Sequence, residues 1–192
     1  MAVRTEHSLI KAHKGIGEFF CAFSSLEREL GQAIKVVLRL GGNAAAETIV
    51  GLVGDFGRKA RIVRAAIQTA KNVDNSDPDE NWKTNADKIM GEILGCNNPD
   101  RIDLAHDYLE PHADGSVSLQ KLGSDPRTWT AQDFDRKIAK LKELTIKLNG
   151  LTTDLTTLVI KIDVPSLVRI QQLDGEPPIF DEAGGMTNPT NR

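Results

Sequence analysis

The stretch that decides the fold prediction is Asn98-Pro99-Asp100-Arg101-Ile102-Asp103-Leu104-Ala105-His106-Asp107-Tyr108. It begins like a helix, because Asn98 is a favourable N-cap and Pro99 suits the first helical position. Asp100 also suits the positive end of the helix dipole. Pro111 stops the pattern, so the sequence predicts a short helix of about ten residues.

The chemistry of this short helix rests on three side chains. The guanidinium of Arg101 suits phosphate oxygens, and the imidazole of His106 can exchange protons near neutral pH. Asp103 lies three residues before His106, where its carboxylate could accept a hydrogen bond from the ring and fix its tautomer. These groups suffice to cleave RNA without a metal, because RNA supplies its own 2′-hydroxyl nucleophile. A solvated helix end with no catalytic role is the alternative, since so short a motif also recurs by chance.

Apolar residues at three- and four-residue spacing predict helices before this stretch. They cover Leu9–Leu40, Ala44–Asn72 and Pro78–Leu94, with the first two packed antiparallel. Gly41-Gly42-Asn43 supplies a clean stop for the first helix. Glycines weaken the second helix locally and could allow a close helix approach; they are Gly51, Gly54 and Gly57.

After the short helix, the segment His112–Trp129 predicts a small two-stranded hairpin or an ordered loop, because short alternating stretches lie between turn residues. Thr130 then caps the last helix, with Asp133 in an acidic variant of the capping box. This helix carries the most regular apolar seam of the chain: Leu141, Leu144, Leu148, Leu151, Leu155, Leu158 and Ile162. Its length indicates that its far end meets a partner chain.

The order of these elements resembles the HEPN superfamily, compact helical domains that carry an R-x4-6-H motif on their penultimate helix. The resemblance covers roughly residues 15–160. It implies an all-α, up-down bundle of four or five helices, with a small hairpin or loop before the long last helix. The chain divides accordingly into a HEPN-like helical domain at 1–162 and a C-terminal tail at 163–192, which is flexible or binds a partner.

The resemblance also implies a function. Many HEPN proteins are metal-independent endoribonucleases of toxin–antitoxin or phage-defence systems, in which the Arg and His of two protomers face each other across a homodimer. By this resemblance Arg101 and His106 are catalytic, and Asp103 joins them because of its position three residues before His106. The implied partners are RNA, a second copy of the chain and an antitoxin or other defence protein. No cofactor is implied. This chain departs from the family at Ile102, where a polar residue, commonly Asn, usually follows the Arg.

Arg58, Arg61 and Arg64 recur every three residues along one flank of the second predicted helix. They are candidates for contacts with the RNA backbone. A solvated helix face that balances nearby acids is the simpler alternative. His112 is a second histidine near the motif; it could donate a proton to the leaving group, although an incidental loop histidine is the simpler interpretation.

Composition bounds the location and the class of the protein. The chain of 192 residues is 40% hydrophobic and has a net charge of −3, which favours one well-packed domain and argues against a broadly basic nucleic-acid surface. Its two cysteines, Cys21 and Cys96, form no paired motif, and the polar N-terminus lacks a signal-peptide core. We therefore expect a cytoplasmic protein that does not contact a membrane.

The motifs of other enzyme classes are missing from the sequence. The four histidines show no metal-ligand spacing, and no P-loop or dinucleotide fingerprint occurs. Three hypotheses remain: an endoribonuclease of HEPN type, a non-catalytic HEPN-like module for dimerisation or for binding a partner or nucleotide, and an unrelated helical interaction protein.

Overall fold

The structure is a computed structural model, and it describes residues 2–40, 44–96, 104–105, 108–112, 114–120, 125–160, 179–180 and 186–187. Side chains are described from Ile10 onward, apart from those of the last two pairs of residues. The helices of this part of the chain are α1 (Ala2–Val37), α2 (Ala44–Leu52), α3 (Phe56–Thr69), α4 (Glu80–Cys96) and α5 (Ala131–Thr157). The strands are β1 (Ala70–Lys71), β2 (Tyr108–Pro111), β3 (Val117–Gln120), β4 (Arg127–Trp129), β5 (Val159–Ile160), β6 (Ile179–Phe180) and β7 (Met186–Thr187).

The first and the last helix, α1 and α5, form the main axis of the bundle and run parallel. The ring of Phe134 lies against Gly15 near the start of both helices. Further along, Asn149 donates a hydrogen bond to Glu29 over 3.3 Å. Residues later in α1 therefore contact residues later in α5, so the N-termini of the two helices lie at the same end of the bundle.

Helix α4 runs in the opposite direction to α5. Lys140 donates a hydrogen bond to Glu92 over 2.6 Å, whereas Trp82 Nε1 donates to Asp154 over 3.0 Å. Residues later in α5 therefore contact residues earlier in α4. Cys96, at the end of α4, consequently lies near the first turns of α5.

Helices α2 and α3 also alternate in direction along the bundle. Val50 of α2 packs on Gly31, and Glu47 pairs with Lys35, so α2 runs antiparallel to α1. Helix α3 turns back from Phe56, and β1 at its far end pairs with β5, which follows α5. A mainly helical fold is confirmed, but the all-α prediction is too strict, because the described residues also form three small antiparallel sheets, β1–β5, β2–β3–β4 and β6–β7.

The leucine seam of α5 forms the centre of the core. Its buried members are Leu141, Leu144, Leu148, Leu151 and Leu155. Leu158 caps the helix and is half-buried, and Ile162, the last predicted member of the seam, lies outside the described residues. The predicted capping box is confirmed, because Thr130 Oγ1 accepts from the Asp133 amide over 3.1 Å and the Asp133 carboxylate accepts from the Thr130 amide over 3.0 Å.

The second predicted helix, Ala44–Asn72, is wrong as a single helix. Gly54 has a φ of +84°, a left-handed conformation that ends α2. Asp55 then acts as the N-cap of α3, since its carboxylate accepts from the Arg58 amide over 3.0 Å. The apolar spacing continues through this break, so periodicity alone did not reveal it.

The Gly54→Ala variant tests this break. We expect a loss of about 1 kcal/mol in the free energy of unfolding, because a Cβ at positive φ is strained. In a continuous helix the same substitution would stabilise by roughly that amount. Gly51→Ala is the matched control: Gly51 lies within α2 and a Cβ there meets nothing within 4 Å. It should stabilise in the same denaturant titration, and stabilisation by both variants would contradict the break.

The short predicted helix is wrong at its C-terminal end. Tyr108–Pro111 forms β2, an edge strand that pairs antiparallel with β3. With β4 on the other side of β3, the predicted two-stranded hairpin becomes a three-stranded sheet. Its buried face presents Val117, Leu119 and Trp129 to the core. Pro111 is tolerated because an edge strand need not donate every ladder hydrogen bond.

The remaining boundaries differ from the predictions by a few residues. Helix α1 begins at Ala2 and ends at Val37, and α4 covers Glu80–Cys96. Within the predicted tail at 163–192, β6 pairs antiparallel with β7. The other residues of that tail lie outside the described part of the chain.

Candidate functional site

The three predicted catalytic residues, Arg101, Asp103 and His106, lie outside the described residues. Within their stretch, Leu104 and Ala105 are helical, and Leu104 is 3% exposed in the main hydrophobic core. Tyr108 opens β2 and is 70% exposed. His106 is therefore two residues from a buried anchor on one side and two residues from an edge strand on the other.

His112 directly follows β2 and contacts residues of the turn and of β3. Its amide donates to the Ser116 carbonyl over 2.8 Å, and its Nε2 lies 2.6 Å from the Ser118 hydroxyl. The four residues of β2, which span roughly 13 Å along the strand, lie between His112 and Asp107. These contacts give His112 a role in holding the sheet together.

Of the three arginines predicted to contact RNA, Arg64 makes the most specific contact. Its Nε and Nη2 atoms each lie 2.7 Å from a carboxylate oxygen of Asp87, so α3 and α4 are joined by a two-point ion pair. The hydrogen bonds from Arg64 lower the pKa of Asp87, and the same bonds raise the pKa of Arg64. RNA at Arg64 would have to compete with this carboxylate.

The other two arginines are half-buried. The Nε atoms of Arg58 and Arg61 have almost no exposed surface. The Arg58 guanidinium lies near Gly54, with Nη1 3.6 Å from the position that a Cβ would occupy. The neighbouring cation, Lys59, pairs with Glu27 of α1 over 2.9 Å. RNA contact by this flank stays a prediction. In the described structure Arg64 and Lys59 pair with carboxylates, so these two charges already have partners within the fold.

A second group of cations was not predicted from the sequence. Arg136, Lys137 and Lys140 line a cavity of about 370 Å³ where α1, α4 and α5 meet. The apolar lining comes from Phe19, Leu141 and Cys96. We call this cavity the cationic pocket. The spacing of its cations places them on one side of the first turns of α5. In the sequence, the leucine seam of the same helix is the stronger pattern and hides this spacing.

The cations of the cationic pocket are held in place by specific partners. Arg136 donates to Asp133 over 2.9 Å, and Lys140 donates to Glu92 over 2.6 Å. The ammonium of Lys137 lies 4.4 Å from the centre of the Trp129 ring, a cation–π contact. The hydrogen bond to Glu92 raises the pKa of Lys140, so this amine stays charged at physiological pH.

Lysines surround Glu92, the carboxylate that binds Lys140. The hydrogen bond from Lys140 lowers the pKa of Glu92, and the charges of Lys147 and Lys88 lower it further. Glu143 belongs to the same cluster, because it pairs with Lys147 and lies 3.5 Å from Lys140, so carboxylates offset much of the positive charge on this surface.

No match was found among protein-family models, curated proteins or solved structures. In the part of the chain that the structure describes, no three His, Cys, Asp or Glu side chains are grouped as metal ligands. Of the described helices, none is long and apolar enough to cross a membrane.

Proposed function

We propose that the protein is a metal-independent endoribonuclease of HEPN type. The observation that carries the proposal is the position of the Arg–His stretch in the fold. It follows α4, contains the buried helical anchor Leu104, and precedes a small sheet and the buried leucine seam of α5. A bundle with this order can hold a short polar motif against a rigid core, which a cleavage site requires.

In the proposed reaction His106 accepts the proton of a ribose 2′-hydroxyl. The resulting oxygen nucleophile attacks the adjacent phosphorus as the bond to the 5′-oxygen breaks. The leaving oxygen takes up a proton, and the products are a 2′,3′-cyclic phosphate and a 5′-hydroxyl. Arg101 holds the phosphate and offsets the charge that develops on its oxygens, while Asp103 orients the imidazole.

The nature of the substrate tests this proposal directly. We expect the purified protein to cut single-stranded RNA in the presence of EDTA and to leave 2′,3′-cyclic phosphate ends. An oligonucleotide with a single ribose among deoxynucleotides should be cut only after that ribose, because only that position supplies the nucleophile. RNA that remains intact, or cleavage at 2′-deoxy positions, would contradict the proposal. Mass spectrometry of the fragments provides the measurement.

A non-catalytic module that binds a second protein chain is the other candidate function, and one surface favours it. Ile146 of α5 is 74% exposed and lines a groove between α1 and α5. The groove is also lined by the small residues Ala22 and Ser25. Across a two-fold axis, such an exposed aliphatic side chain could pack against the small residues of a second copy.

We propose that this groove is the homodimer interface, whether or not the protein cleaves RNA. Glu18 and Lys142 also line it, so a two-fold axis can pair each with the opposite charge of the second copy. Ile146→Glu should shift the protein to a monomer in light scattering, because it places two carboxylates in an apolar contact.

Cys21 provides an independent check on the dimer, since it is exposed and lines the same groove. A short bis-maleimide should crosslink two copies of the wild type through Cys21. The Cys21→Ser variant keeps Cys96 and serves as the control, and it should not crosslink. A wild-type protein that is monomeric at high micromolar concentration would contradict the interface.

A further inference from the structure

Tyr108 carries the one exposed ring among the described phenylalanine, tyrosine and tryptophan side chains. It is 70% exposed, whereas the other described rings of these types are buried or half-buried. Within the described part of the chain its ring stacks on no other ring and its hydroxyl has no hydrogen-bond partner. Tyr108 therefore presents an aromatic surface that no described side chain covers.

The sheet holds Gln120 directly opposite this ring. Tyr108 and Gln120 are register partners of the antiparallel pair β2–β3, so their side chains leave the same face of the sheet, with Cβ atoms roughly 5 Å apart. The adjacent register pair, Leu109 and Leu119, packs on the hydrophobic core. Because side chains alternate along a strand, Tyr108 and Gln120 point to solvent. Gln120 is exposed, and its amide has no hydrogen-bond partner among the described residues.

We propose that Tyr108 and Gln120 bind one base of the RNA strand next to the cleaved bond, with the ring stacked on the base and the amide hydrogen-bonded to its edge. Single-stranded RNA is recognised by contacts of these two kinds. Every base has a face that can stack, so Tyr108 supplies affinity. Gln120 has both donors and an acceptor, so it supplies preference among the bases. The inference rests on the proposed function in one respect: the strand is the RNA that the protein cleaves.

The position of Tyr108 in the chain supports this assignment. It follows His106, the proposed general base, by two residues, which span at most about 7 Å. Neighbouring bases of a stacked strand are about 3.4 Å apart. A base on Tyr108 is therefore within about two nucleotides of the ribose that His106 deprotonates.

The rest of this sheet face favours a base over a phosphate or a protein. Glu110 follows on the same face of β2, and its carboxylate repels phosphate groups. We therefore expect the phosphates of a bound strand at the other end of β2, toward Arg101. Ser118 and Thr128 are small and polar, and their hydroxyls lie 3.2 Å apart. The described face thus lacks the extended apolar patch that marks a protein-docking surface.

Binding of an uncleavable strand tests this subsite apart from cleavage. A fluorescein-labelled oligodeoxynucleotide has the bases but no 2′-hydroxyl, so its anisotropy reports binding alone. Tyr108→Ala should weaken binding at least about tenfold, because the loss of one base–aromatic stack has an effect of this size. Tyr108→Phe is the matched control, since it keeps the ring, and it should bind like the wild type. Equal binding by the wild type and Tyr108→Ala would overturn the subsite.

A strand with one ribose and one missing base locates the subsite along the substrate. In the wild type, removal of the contacted base should raise KM at least about tenfold with little change in kcat. In Tyr108→Ala the same removal should have no further effect, because the ring and the base form a single contact. Gln120→Ala should keep cleavage and lower the preference among the four bases at that position about fivefold. Additive losses, or the absence of any position where base removal matters, would overturn the subsite.

These measurements separate the inference from the proposed function. Cleavage of RNA by Tyr108→Ala with the KM of the wild type would overturn the subsite and leave the nuclease intact. Binding of the labelled strand that depends on Tyr108, by a protein that cuts no RNA, would overturn the nuclease and keep the subsite. The protein would then be a binding module for single strands.

Discussion

The His106→Ala variant is expected to lose RNA cleavage by about 10²–10⁴-fold or more, because general base catalysis supplies a factor of this size. Arg101→Ala should cause a comparable loss, since the guanidinium offsets charge that builds up in the transition state. Both losses should appear in kcat at saturating RNA. Single-turnover cleavage of an end-labelled oligonucleotide measures them.

The matched control is His112→Ala, which removes the other histidine near the motif. Because the His112 ring contacts Ser118 within the sheet, this variant should lose some thermal stability and keep its cleavage rate. All three variants should retain the helical circular dichroism signal and the wild-type mass in light scattering. Wild-type cleavage by His106→Ala would contradict the mechanism and favour the binding module.

Leu144→Ala is expected to cost roughly 2–5 kcal/mol of the free energy of unfolding. Leu144 is 0% exposed and is one of the largest buried side chains of α5. The substitution removes buried apolar surface and leaves a cavity between α1 and α5. This is a large part of the 5–15 kcal/mol that separates a folded domain from its unfolded state. Urea titration followed by circular dichroism provides the measurement.

Ile146→Ala is the control for this substitution, because it removes an aliphatic side chain two residues further along the same helix. Its exposure of 74% predicts a change within roughly 0.5 kcal/mol for the isolated chain. At concentrations where the groove holds a dimer, the loss should grow with protein concentration. Equal losses of unfolding free energy in Leu144→Ala and Ile146→Ala at low protein concentration would contradict the placement of Leu144 in the core and Ile146 on the surface.

The parts of the fold that depend on neighbouring residues could be predicted from the sequence. The seam of α5 repeats every three or four residues through Leu155, and its cap is complete within Thr130–Asp133. Both signals are local, so a single stretch of sequence contains all of their physical causes. The stop predicted at Gly41-Gly42-Asn43 lies outside the described residues, and α1 already ends at Val37, with Arg39 at a φ of +52°.

The wrong predictions concern competition between local and distant contacts. The break at Gly54 depends on one residue with a positive φ, while the apolar spacing on either side still fits a helix. Tyr108 also fits the helical pattern that precedes Pro111, but Tyr108–Pro111 pairs with β3, whose residues lie beyond the next turn. For β2, the partner strand decides between helix and strand, and the position of that partner depends on the whole fold.

The cationic pocket was missed for a related reason. Its floor comes from Phe19 and Leu141, which the sequence shows only as members of two apolar seams. Its wall comes from cations on α5 that resemble an ordinary solvated face. Only the packing of α1, α4 and α5 brings these groups to one cavity.

The parallel packing of α1 and α5 has a consequence for how the chain folds. Glu29 and Asn149 contact each other across 120 residues of sequence. Closing a loop of that length costs roughly 4 kcal/mol in chain entropy beyond a constant term. We therefore expect slower folding than in helical bundles built from neighbouring pairs. On the ribosome, the apolar stripe of α1 must wait for nearly the whole chain before its main partner emerges, and chaperones can bind it during that interval.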